Sequence, residues 1–532
     1  PLATAAVAHA QTRVVPVVVL SPSAPDYGPA EDLLSAQADL PAFQGDLSVL
    51  AQARFFQPAS GVTIAGTVLA FLGDGGFTTV ARTGDTVSGQ RIEQIGAFAG
   101  DRAGAVAFAD GGVYSALRLW YHPRGAPSPI PQDLFLNESC VSLSGILPGM
   151  RLNTAGEVLF PAEATHCNGS ARGVYRWRFG QSPQPGLAVR VARRGLSAPG
   201  LTSGARYLFA TAPQVWLSDA GLCAFRGEFS LPDDALAPGG IGVWAGFPDA
   251  PTLLAASGHA PLVGDFPPSA AVRDATVRSM LSDGSIALWQ EVLVPGEPLA
   301  RQSLSLGSPG SLTTIAASGD TLPGLFPGQQ LRQVTGDFND RGDGVIWGTV
   351  EPSNQVTQPS AALWPVVNGQ VRPAVALNNI TTNGLRIRAV PGFDARLTLQ
   401  REVLFVANLN VIGLPNNTDR ALLFADREGR VRPLLRSGSI ITLPDGTTRA
   451  LTRVANVASP LGAPNRLGWV TVQVEFAAGG AGILLVNPRA CDADFDASGT
   501  LDPDDLADFV AEFFAPTPDP ALADFDGNGT VD

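Results

Sequence analysis

The sequence predicts an all-β fold, a β-propeller of about eight (or seven) four-stranded blades, followed by a small α-helical pair of calcium-binding loops. Three observations carry this expectation. The 532 residues include 59 glycines and 44 prolines, a load that breaks long helices and favours short strands joined by turns. Short runs of apolar alternation recur about every 60 residues between residues 11 and 488. Near the end, "DADFDASGTLDPDDL" (492–506) crowds aspartates at fixed spacing into a chain that is only 16% charged.

In chain order, residues 1–10, "PLATAAVAHA", read as the remnant of a secretory signal. A small apolar run ends in Ala8-His9-Ala10, the small-residue pattern at which export signals are cut. The expected location is secreted, extracellular or at the cell surface. No stretch supplies the roughly 18 continuous apolar residues of a membrane span, so no span is expected. The β run "TRVVPVVVL" (12–20) is expected to close a ring against the last repeat unit.

Residues 11–488 form the repeat domain. A turn ending in glycine precedes an alternating strand at Gly45, Gly104, Gly156, Gly221, Gly284, Gly344 and Gly468, and "LQREVLFVA" (399–407) fills the one missing beat. A second signature keeps the same beat, as in "VARTGDTVSG" (80–89), "VARRGLSAPG" (191–200) and "IAASGDTLPG" (315–324). A third places Trp120, Trp177, Trp244, Trp364 and Phe424 at the ends of runs such as "LRLW". One such sheet leaves a face unburied, whereas radial stacking lets each sheet cover its neighbour with the tryptophan between them. A β-solenoid or a row of sandwiches is the alternative, because periodicity fixes the repeat and not its closure.

Residues 489–532 form the acidic module. Asp494, Asp496, Ser498, Thr500, Asp502 and Asp505 occupy positions 1, 3, 5, 7, 9 and 12 of a loop, the ligand spacing of an EF-hand. Thirty residues on, Asp524, Asp526, Asn528, Thr530 and Asp532 repeat positions 1 to 9. Gly499 and Gly529 at position 6 allow the sharp turn, and Leu506, Phe509, Val510 and Phe513 trace one apolar helix face. The expected ligand is Ca2+.

Two such loops, each followed by a helix and with aspartate at position 12 of the first, resemble the dockerin type I module. That resemblance implies docking to a cohesin-like or cell-surface protein. The repeats and the terminal pair together resemble uncharacterised secreted bacterial β-repeat proteins, which implies architecture and location but no activity. In that group a cysteine brackets the terminal module on each side, and Cys491 fits the first place. Among the other cysteines, Cys140 and Cys167 offer a pair within one short Gly- and Asn-containing region, and Cys223 lies in an apparent buried strand. No C-x-x-C supports a zinc site.

Composition removes several function classes. All 35 basic residues are arginine, so no lysine nucleophile or phosphate loop exists, and a net charge of −13 argues against a nucleic-acid partner. Asp283 in "SDGSIALW" falls short of a sialidase Asp-box and reads as a hairpin cap. His122, His166 and His259 read as residues of surface loops. Asp85 and Asp320 share one repeat position, which points to folding, and "RGD" (341–343) lies in a repeating turn. The expected function is an exported, non-enzymatic binding or scaffold protein with a polysaccharide or protein ligand on the propeller. The alternative is a surface-attached polysaccharide lyase or glycoside hydrolase, and no catalytic residue is nominated.

Overall fold

The computed structural model describes, with interruptions, residues 13–487 together with residues 510 and 514. Among the described residues eight mainly antiparallel sheets follow one another along the chain, besides a two-stranded ribbon of Thr86–Val87 and Gln90–Arg91. Their second strands are Ser48–Phe56, Val106–Asp110, Glu157–His166, Cys223–Ser230, Ile286–Leu293, Gly344–Val350, Val403–Asn410 and Val470–Phe476. These are the eight alternating runs that keep the beat in the sequence, and we number the sheets 1 to 8 after them. Each sheet is a meander whose first strand pairs with the second, the second with the third and the third with the fourth.

The first strands of sheets 2 to 7 approach one another in succession, so they form the inner edges of a propeller-like arrangement. Sheet 8 takes three strands from the C-terminal end, Thr448–Val454, Val470–Phe476 and Ala481–Asn487, and its fourth, Arg13–Leu20, from the N-terminal end. Arg13 lies opposite Asn487 and Leu20 opposite Ala481. Pro16 is tolerated because this strand is the outer edge of its sheet, and the register shifts directly after it. This pairing brings together two ends that a linear solenoid or a row of sandwiches would hold apart.

Successive sheets pack face to face. Cys223 and Phe225 belong to a buried cluster with Leu159 and Val174 of sheet 3, while Ala224 between them belongs to another with Ile286 and Leu288 of sheet 5. Both faces of the second strand are therefore covered, which explains why these strands read as nearly continuous apolar runs.

The second signature is the connector from one sheet to the next. Gly84, Gly195, Gly258, Gly319 and Gly438 donate their amides to the carbonyls of Ile92, Tyr207, Val272, Leu331 and Leu451. Those residues donate back to Asp85, Leu196, His259, Asp320 and Ser439. All five glycines have φ between 81° and 97°, a conformation that other residues rarely adopt. In two sheets a tryptophan completes this contact, where the signature carries Pro-Gly. Trp244 Nε1 donates to the Pro199 carbonyl and Trp364 Nε1 to that of Pro323, both at 3.0 Å. The indole and the Pro-Gly of the signature are two halves of one interaction.

Residues 1–10, Cys140, Cys167, Cys491 and both acidic loops, Asp494 to Asp505 and Asp524 to Asp532, lie outside the described residues. Val510 is helical and its carbonyl accepts the Phe514 amide at 3.2 Å. No helix among the described residues is long and apolar enough to cross a membrane.

Candidate functional site

The turn between first and second strands recurs in sheets 3 to 7, and the residue two places before it occupies one register position. Here Arg151 lies opposite Leu159, Trp216 opposite Ala224, Ser279 opposite Ala287, Asp337 opposite Val345 and Arg396 opposite Leu404. Directly opposed residues share a face of the sheet. Leu159, Ala224, Ala287, Val345 and Leu404 each pack against the following sheet, so this position faces forward around the inner edges. Packing repeats from sheet to sheet at this level, but the side chains do not.

In sheets 5, 6 and 7 they form a continuous polar chain. Ser279 Oγ donates to Asp337 Oδ1 and accepts the Phe338 amide at 2.9 Å. Asp337 Oδ2 pairs with Arg396 Nη1 at 2.9 Å, and that nitrogen also reaches the Ala395 carbonyl at 2.9 Å. Arg278 enters at the bulge between Val277 and Ser279. Burial lowers its pKa, the Asp337 carboxylate opposes that shift, and the Arg396 charge adds to it. Arg396 thus pairs with the carboxylate, and Arg278 adds a second positive charge beside Ser279. The site remains open to solvent, since the Asp337 side chain keeps 31% exposure and that of Arg396 keeps 16%.

Arg151, at the same register in sheet 3, is exposed, yet desolvation lowers its pKa. Between sheets 4 and 5, Arg226 pairs with Asp274 at 2.8 Å and donates Nε to the Ala275 carbonyl at 2.8 Å. These contacts order the strand Ala271–Met280 that carries Arg278 and Ser279.

The residues singled out in the sequence serve the scaffold. Asp283 Oδ1 accepts the Ser285 amide at 2.8 Å and caps its hairpin. Asp85, Asp320 and His259 sit at equivalent points of the connectors. Asp343 of "RGD" is buried and accepts the Asn368 amide at 2.6 Å, which withdraws it from any adhesion surface. His122 and His166 correct the loop expectation, for both are terminal residues of strands, Arg118–His122 and Glu157–His166. In the second case His166 pairs with Gly169.

Cys223 is a free, buried thiol pushed up to about 12, chiefly by burial. Burial, with Cys223 beside it, raises Tyr207 as well. Among the described residues no group of three or more His, Cys, Asp and Glu side chains is placed to hold a metal ion. The inner-strand polar chain escaped the sequence because it follows no motif. Aligning the units on their first turn and reading the column two places before it would have found it.

Comparison with known proteins gives little function. No curated protein matches the chain. Among solved structures, the polysaccharide lyase Uly1 is 8% identical with a TM-score of 0.34, the match covering 76% of this chain and 94% of that one. The β-propeller domain of the Trilobed protease from Pyrococcus furiosus, of open velcro topology, is 8% identical with a TM-score of 0.34, covering 75% and 96%. The Trypanosoma rangeli sialidase in complex with sialic acid is 12% identical with a TM-score of 0.29, covering 91% of both chains. Likeness at this level bears on no activity. Residues 145–388, less than half of the chain, match the model of DUF7453, a family of unknown function.

Proposed function

We propose that this chain is an exported, non-enzymatic binding protein whose ring of sheets recognises a polysaccharide. In this reading residues 489–532 are a calcium-dependent docking module for a cohesin-like or cell-surface partner. The observation that carries the reading is the polar chain Ser279, Asp337 and Arg396 with Arg278 beside it. A repeat scaffold displays one site by varying side chains at a shared position while its packing repeats, and that is the pattern of the inner strands. The chain offers fixed donors and charges rather than a proton-transfer pair.

The docking module rests on spacing. Asp494, Asp496, Ser498 and Asp502 would give side-chain oxygens, Thr500 its carbonyl and Asp505 the closing carboxylate. Asp524, Asp526, Asn528, Thr530 and Asp532 would do the same in the second loop. The test is a glycan array with the full chain beside a product assay on the same polysaccharides. Binding without turnover supports the reading, whereas new reducing ends or unsaturated products establish a hydrolase or lyase in its place. For the module, calorimetric titration with Ca2+ should give heat that Asp494→Ala and Asp505→Ala diminish. Absence of heat in the unaltered chain refutes it.

A further inference from the structure

The geometry points to the cluster of Arg278, Asp337 and Arg396 on the inner strands of sheets 5 to 7 as a receptor for the carboxylate or sulfate groups of an acidic polysaccharide, an inference that rests on the reading of the ring as a polysaccharide binder.

Arg396 is paired with Asp337, and Arg278, the chain neighbour of the Ser279 that also holds Asp337, adds a second positive charge, on a chain whose net charge is −13. The excess is therefore local and opposite in sign to the protein as a whole. A long acidic polymer would be repelled by most of the surface and held only where arginines outnumber carboxylates. Arginine suits oxyanions because its planar fork donates two parallel hydrogen bonds. The fork of Arg396 is already oriented, with Nη1 fixed by Asp337 and by the Ala395 carbonyl. Asp337 is in turn fixed by Ser279, which also holds the Phe338 amide. Little side-chain freedom remains to be lost on binding, which favours affinity.

Arg278 supplies the driving force. It is half-buried, close to the like charge of Arg396, and shares Asp337 with it. An incoming oxyanion would give the two guanidiniums a second negative group and relieve their repulsion. Asp337 would in addition accept hydrogen bonds from the hydroxyls of the sugar. Trp216, partly buried at the same register in sheet 4, adds an aromatic surface of the kind on which sugar rings stack.

The experiment uses the full chain with three polymers: polygalacturonate for carboxylate, a sulfated glycan for sulfate, and a neutral glucan. Affinity for one or both acidic polymers, weakening as salt rises, is expected, together with weak or absent binding of the glucan. Arg278→Gln and Arg396→Gln should each weaken acidic binding about 10- to 100-fold, the range of one charged hydrogen bond. Arg332→Gln, an exposed arginine at the connector end of the inner strand of sheet 6, should leave binding unchanged. If a variant fails to fold, amide exchange in the unaltered chain decides. The acidic polymer should protect Ala271–Met280, Leu331–Phe338 and Ala395–Leu397. Equal binding of glucan and acidic polymers, or protection confined to other strands, overturns the oxyanion site and leaves polysaccharide recognition standing. Binding of no glycan removes the reading on which it rests.

Discussion

Replacing Trp244 by Phe separates the two roles assigned to the recurring tryptophan. Its indole is fully buried, lies 5.4 Å from the Phe225 ring and 4.9 Å from that of Tyr207, and donates to the Pro199 carbonyl at 3.0 Å. Phenylalanine has three fewer side-chain heavy atoms, a void of roughly 40 Å3, which at about 24 cal/mol per Å3 costs ~1 kcal/mol. Losing the hydrogen bond adds about 0.5–1.5 kcal/mol, at the modest end because Pro199 is itself exposed and its carbonyl regains water. The expected loss is about 2 kcal/mol. Trp177 is the control, equally buried but with an Nε1 that has no hydrogen-bond partner. Trp177→Phe opens a similar void and also removes an orphaned donor, so the two effects largely offset and the loss is about 0–1 kcal/mol. Guanidinium midpoints at unchanged slope measure both. Equal losses, or a larger one at Trp177, would refute the connector role of the indole.

Alanine at Gly284 should destabilise more than alanine at Gly258, by about 1–3 kcal/mol in denaturant unfolding. Both have positive φ, but the new Cβ at 284 would meet Leu222 Cδ1 at 2.1 Å while that at 258 meets open space. Cys223 should resist iodoacetamide until the chain unfolds. Its folded pKa of about 12 exceeds the ordinary 9.0, so this contribution to stability is complete below pH 9 and declines as pH rises toward 12. A flat stability profile across that window counts against it. Val141 pairs with His166, and Cys140 and Cys167 are the next residues in sequence on either side. Non-reducing peptide mapping of the protein should find them joined, and two free thiols would deny it.

Much of this architecture is legible in the sequence, because packing imposes the same demand on every sheet. The glycine before each second strand, the Pro-Gly of the connector and the tryptophan that meets it recur for that reason. "TRVVPVVVL" was legible as the closing strand because its apolar run has no unit of its own. The polar chain was not. Ser279, Asp337 and Arg396 occupy one column of the repeat but share no residue type, so periodicity hides what distinguishes them. Arg278 depends on a bulge, which shifts the alternation by one residue and leaves no mark in composition. His122 and His166 misled because a proline follows one and Cys167-Asn168-Gly169 the other, residue types that favour turns, while each histidine is itself the last residue of a strand.

The ring reading depends on the N-terminal strand completing sheet 8, and a cysteine pair at Val15 and Leu485 tests that most directly. These residues are antiparallel partners, and Cα atoms so placed lie about 4.5–5.5 Å apart, within disulfide reach. Val15→Cys with Leu485→Cys should form a disulfide within one chain on mild oxidation, seen as a compact monomer that gives a single cross-linked peptide. Cross-links only between chains, or none under conditions that oxidise a reference pair, would contradict closure of sheet 8 and the ring built on it.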